Sequence, residues 1–117
     1  MKFETFEDII AWQRAKQLAV DVYRAFAHSN DWGFNSQIQR AVISISNNVA
    51  EGFERQSNME FKHFLFIAKG SCAEVRSMLY IAKELNMISA IQFETLNSTC
   101  LEVSRMLSAL IKSISQN

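Results

Sequence analysis

A few groups of residues in this chain have the types and spacings that chemistry requires. Glu60 and His63 form a Glu-x-x-His motif. On a helix that spacing puts a carboxylate and an imidazole on one face, as in di-iron bundles. Such a site needs two of these motifs and two further carboxylates. The other histidine, His28, has no acid three residues before it. Glu60 also follows Ser57 by three residues, where its side chain has a capping task at a helix start. No metal site or cofactor is expected. Cys72 and Cys100 fall on apolar ladders and read as buried thiols. Counted out from a turn near residue 88 they are offset by about one helical turn, ~6 Å, so a disulfide between them is not expected. No nucleophile–base pair, glycine-rich phosphate loop or zinc spacing is visible. Neither an enzyme nor a small-molecule substrate is expected.

Two charged patterns remain. Lys62, Lys69, Arg76 and Lys83 recur every seven residues. Such a basic line could track phosphates and serve as a nucleic-acid contact. It could equally be a flanking row that pairs with acids on a neighbouring helix, as at e and g positions of a coiled coil. Arg40, Ser44, Asn48, Glu51 and Arg55 share one helix face. They read either as a solvated face carrying a Glu51–Arg55 pair or as a polar recognition strip, with hydrogen bonds inside or between subunits.

Helices must position all of these residues. The chain contains no proline and three glycines, which suits a nearly all-helical fold. The first helix is expected over about 7–27, with Trp12, Ala15, Ala19, Val22 and Phe26 on one face. The second is expected over 36–54, starting at Asn35 or Ser36 as N-cap, with Ile38, Ala41, Val42, Ile45 and Val49 as its stripe. Ser57-Asn58-Met59-Glu60 is a capping box opening a third helix over 58–85. Ser89-Ala90-Ile91-Gln92 is a second capping box, opening a fourth over 90–115 with Phe93, Leu96, Cys100, Val103, Leu107, Leu110 and Ile114 in a ladder. Short connections make neighbours antiparallel. The expected fold is therefore an all-α, up-down, antiparallel four-helix bundle, one domain over 1–117.

The third helix is more apolar than a bundle requires. Phe61, Leu65, Ala68, Cys72, Val75, Leu79 and Ala82 would fill a seam alone. A second ladder runs beside it: Phe64, Ile67, Ser71, Glu74, Met78, Ile81 and Leu85, with Phe66 and Tyr80 extending the arc. A bundle helix ordinarily shows one apolar stripe of ~100°. The surplus points to self-association through this helix, and Gly70 in mid-helix suits close approach.

Twelve basic and twelve acidic side chains leave a formal net charge of zero, so no global field draws the chain to nucleic acid or anionic lipid. The opening MKFETFEDII carries acids and no long apolar run, so neither a signal peptide nor membrane association is expected. The expected setting is cytoplasmic.

One run carries a resemblance: Gln39-Arg40-Ala41, Ser44-Ile45-Ser46-Asn47-Asn48-Val49-Ala50-Glu51-Gly52, then Arg55, Ser57, and Phe64-Leu65-Phe66-Ile67-Ala68-Lys69-Gly70-Ser71 with Glu74. It closely resembles the four-helix-bundle family of 23S rRNA intervening-sequence proteins. Trp12, Ala15 and the 107–111 segment fit too. The resemblance implies a homopentameric ring with no known catalysis. A relative of that family, the accessory variability protein of diversity-generating retroelements, is a basic pentamer that binds nucleic acid and a reverse transcriptase. This chain lacks that net positive charge. It also has Ser46 where many members have proline, and Asn86-Met87 where glycine often follows the third helix. Arg40, Asn48, Glu51, Arg55, Ser71 and Glu74 match signature positions. The resemblance implies that they form a polar network organising the bundle or its subunit contacts, and that partners include the chain itself and a protein or nucleic acid.

Overall fold

The computed structural model describes residues 3–115, so residues 1–2 and 116–117 of the expected domain lie outside the described residues. A short 3-10 turn, Phe6–Asp8, precedes four α-helices: α1 (Ile10–Ala25), α2 (Trp32–Phe53), α3 (Asn58–Glu84) and α4 (Ala90–Ser115). No strand occurs among the described residues, and no helix among them is long and apolar enough to cross a membrane. The long axis measures 45 Å and the cross-section 21 × 19 Å. Each helix packs against two others: α2 on α1 and α3, and α4 on α3 and α1.

Local chemistry sets the helix boundaries. The Ser57 hydroxyl accepts from the Glu60 amide at 3.1 Å. Ser89 and Gln92 exchange both bonds of a capping box, at 2.8 and 3.0 Å. The start of α2 differs from the sequence expectation. Asp31, not Asn35 or Ser36, is the N-cap, and its carboxylate accepts from the Phe34 amide at 3.0 Å. An ionised oxygen satisfies an orphan N–H at a positive helix end more strongly than a neutral cap can. Asn35 is instead buried and donates to the Ser29 carbonyl at 3.0 Å, anchoring the connection from α1. The first helix also begins later than expected, because Thr5 and Asp8 close the 3-10 turn first, with the Thr5 amide donating to Asp8 at 3.1 Å. α3 ends with Asn86 at φ 58°, and the Met87 amide reaches back to the Ala82 carbonyl at 2.9 Å. This is a Schellman-type stop in which asparagine takes the left-handed position usual for glycine.

One apolar core runs between the helices. The α2 stripe and the first α3 ladder are buried as expected. On α1 the buried line is Ala11, Ala15, Leu18, Val22 and Phe26, while Trp12 and Ala19 sit at its edge. The Trp12 ring packs edge-on against Phe6 at 5.0 Å, outside the central seam. At the end of α4 the deeper residues are Ile111 and Ile114, with Leu110 only partly covered.

Close approach occurs at Gly52. A Cβ there would lie 2.6 Å from Phe64 Cβ and 3.1 Å from the Phe61 ring, so the end of α2 rests almost directly on the start of α3. Gly70 has open space within the chain: a Cβ there would meet nothing within 4 Å. Helix propensity alone would make Gly52→Ala stabilising. We expect it instead to destabilise by about 1–3 kcal/mol through overpacking, with Gly70→Ala neutral or stabilising, as read by denaturant melts of both variants.

Candidate functional site

The polar strip of α2 and its counterparts on α3 divide into three parts. In the middle, Ser44 is a node. Its hydroxyl accepts from the Ser71 hydroxyl at 2.9 Å and from the Asn48 amide at 2.9 Å, and its carbonyl accepts from the same amide at 2.7 Å. Ser71 is buried, so this bond ties α2 to α3 where neither hydroxyl is fully hydrated. Arg55 falls two residues beyond the end of α2 rather than on its face, and there it donates to Glu51 at 3.2 Å and lies over the Phe64 ring, 4.8 Å from its centroid. That pair is exposed, so its contribution is small. Arg40 and Glu74 stand apart from both groups. They line a groove of about 520 Å³ with Gly33, Ser36, Gln37, Ala41 and Ser44.

The second α3 ladder splits in the same way. Ser71 and Met78 are buried, at 9% and 6% exposure, and Phe64 is half-buried. α2 covers this side of α3, so Met78 belongs to the chain's own core and offers nothing to a neighbour. Ile67, Ile81 and Leu85 remain exposed, at 41%, 48% and 62%, with Glu74 between them. Phe66 and Tyr80 are also exposed, and the Tyr80 ring leans on Phe93 of α4 at 4.8 Å. The outward apolar surface of α3 is real but narrower than the ladder alone suggests.

The basic row faces α4. Lys62 Nζ lies 3.1 Å from Ser115 Oγ, Arg76 Nε donates to Asn97 at 3.3 Å, and Lys83 Nζ sits 4.7 Å from the Phe93 centroid. Lys69 is half-buried on the same edge. The row meets polar and aromatic side chains rather than the acids expected of a flanking row. Among the described residues the cross-helix ion pair lies elsewhere, between Arg14 of α1 and Glu102 of α4.

Glu60 lies at the α3 cap, hydrogen-bonded with Ser57 at 3.3 Å, and His63 is exposed beside Phe64. Cys72 and Cys100 are both free and buried, and the Cys100 thiol donates to the Cys72 carbonyl at 3.3 Å. They are therefore in contact, closer than the count from the turn implies. Side-chain contact between the two thiols, together with burial, pushes the Cys72 thiol well above the usual thiol range, so it stays protonated, while the same contact lowers that of Cys100.

Sequence reasoning found Arg40, Ser44 and Glu74 but not their division of labour. It missed Ser36 and Gln37, although Gly33, Gln37, Arg40 and Ser44 follow one another at helical spacing and could have been read as one face.

These findings fit the chain's relatives. The family model of the 23S rRNA-intervening sequence protein matches residues 7–109, and the chain belongs to that family. Among solved structures, a protein of unknown function from the S23 ribosomal protein family of Bacteroides thetaiotaomicron superposes with a TM-score of 0.82 at 24% identity, over 87% of this chain and 98% of that one. At that identity the likeness speaks for the fold. No curated protein matches the chain.

Two measurements probe the site's chemistry. Ser44→Ala leaves the Ser71 hydroxyl without its acceptor and should cost about 1–3 kcal/mol, whereas Glu51→Ala should cost no more than about 0.5 kcal/mol. Paired thermal melts check this order. A coloured thiol reagent should find neither cysteine in the native chain and both after denaturant is added.

Proposed function

We propose that this member of the 23S rRNA-intervening sequence family is a non-enzymatic structural or adaptor protein: an antiparallel, up-down four-helix bundle that assembles with copies of itself in a ring, most simply of five, and presents the assembled surface to a protein partner in the cytoplasm. The antiparallel arrangement is supported by contacts whose numbers fall on one helix as they rise on the next, as in Gly52–Phe64 and Ser44–Ser71 for α2 and α3, or Arg76–Asn97 and Lys62–Ser115 for α3 and α4.

The observation that carries the assembly reading is the exposed apolar edge of α3. Ile67, Ile81 and Leu85 lie on the flank nearest α2, and Phe66 lies just beyond. A row of exposed large apolar side chains along one helix is unusual for a chain that works alone. Gly70, with open space around it, lets another backbone come near. The polar residues that match family positions fit this reading as architecture. Ser44, Asn48 and Ser71 fix how α2 lies on α3, and so fix the surface the two helices present.

Nucleic-acid binding through Lys62, Lys69, Arg76 and Lys83 has weaker support. Three of the four heads are engaged with α4, and the chain has no net charge to add to them.

Light scattering after size exclusion tests the assembly. The expected particle is about five times the 13.4 kDa chain mass, and the Ile67→Glu/Ile81→Glu variant is expected to run as a monomer with its helix content intact. A monomeric parent chain would sink the proposal. In a salt titration, rRNA fragments are expected to show no binding even at low ionic strength.

A further inference from the structure

Cys72 of α3 and Cys100 of α4 are the chain's two cysteines, and neither has a task in the assembly. Both are free. Counted out from the turn they stand a helical turn apart, yet the Cys100 thiol donates to the Cys72 carbonyl at 3.3 Å, and the two thiols also hydrogen-bond with each other. Cys72 is 1% exposed and Cys100 0%.

The seam above the pair is cationic. Lys69 stands three residues before Cys72 and Arg76 four after it, so both are its neighbours on the α3 surface. Arg76 reaches across to Asn97, three residues before Cys100, at 3.3 Å, and Lys69 is half-buried on the same edge. Positive charge beside a thiol favours its thiolate. The contact with Cys72 lowers the Cys100 thiol and Arg76 adds to this, so Cys100 is the readier nucleophile. Packing alone asks for two small apolar groups here. It does not ask for a nucleophile with a second sulfur in reach, under a cationic rim.

We propose that Cys72 and Cys100 form a modification site, at which a small hydroperoxide oxidises the two thiols to an intrachain disulfide that clasps α3 to α4. The Cys100 sulfur attacks one peroxide oxygen. The S–O bond forms, the O–O bond breaks, and the leaving hydroxide takes the Cys100 thiol proton as water. The Cys72 sulfur then attacks the sulfenic sulfur of Cys100. The S–S bond forms, the S–O bond breaks, and the second hydroxide leaves as water with the Cys72 proton. Two thiols and one hydrogen peroxide thus give one disulfide and two waters. Hydrogen peroxide is close to water in size, so it needs a smaller local opening of the seam than a coloured thiol reagent does. The clasp closes residues 73–99 into a loop, which restricts the unfolded chain and favours the bundle. It lies on the α4 side of α3, away from the flank that carries Ile67, Ile81 and Leu85.

The test treats the reduced parent chain with dilute hydrogen peroxide in native buffer and reads the intact mass, a peptide map and a thermal melt. The expected product has lost two hydrogens, joins the Cys72 and Cys100 peptides, and returns to free thiols with dithiothreitol. Its melting midpoint should rise by about 5 °C or more. In Cys72→Ala, oxidation should stop at a sulfenic acid that dimedone captures, and peroxide should give no rise; Cys72→Ser serves if alanine lowers the helix content. The same measurements run on a monomer or an assembly. The proposal is overturned by two thiols that stay free, by sulfurs oxidised separately or joined between chains, or by a disulfide that forms only once denaturant is present. A disulfide that leaves the midpoint unchanged or lower overturns the clasp.

Discussion

The end of α2 lies on the start of α3 with no side chain between them, because Gly52 offers only hydrogen where Phe64 Cβ arrives. Once the two helices meet there, the positions further along them are determined. Ser44 comes opposite Ser71 and the hydroxyls bond. Arg55 comes over the Phe64 ring. Ala41, also small, leaves a furrow rather than a filled seam between Arg40 and Glu74. A larger residue at position 52 would push the helices apart by more than these short polar side chains can span. The polar pattern on α2 is thus subordinate to one steric contact, and its residues are ordered by distance from it.

Much of the fold was legible because the apolar periodicities of α2, α3 and α4 are strong and their starts carry recognisable caps. Where the sequence misled, the competing physics can be named. Asn35 and Ser36 are good cap residues by type, but Asp31 offers a carboxylate at the helix N-terminus and the glycine that follows it at position 33 is tolerated in the first turn. On α1, spacing puts Trp12 on the apolar face, but its large ring packs at the rim of that face, where it meets Phe6. The doubled ladder on α3 was read as one exposed face. Spacing can say that Met78 and Ile81 are both apolar; it cannot say how far α2 wraps round, which decides that Met78 is core and Ile81 is surface.

The candidate site was legible as a set of residues rather than as an arrangement. Helical spacing alone grouped Arg40, Ser44, Asn48, Glu51 and Arg55. Their separation into a bonded node, an exposed ion pair and a partnerless charge depends on what α3 places opposite each one. The basic row shows the same limit. A seven-residue repeat marks a helix edge, but whether that edge meets water, phosphate or another helix is a tertiary fact. Here it lies along α4, and the long lysine stems cover apolar surface while their heads reach Ser115 and Phe93.

The groove and the outward α3 edge lie on α2 and α3, which are consecutive in the chain and joined by a four-residue connection, 54–57. The contacts that shape them are short in sequence separation, and such contacts need little loop closure and form early in folding. α1 and α4 then act as a brace, added from the two ends of the chain. The order of helices along the chain thus carries over into an order of events in folding.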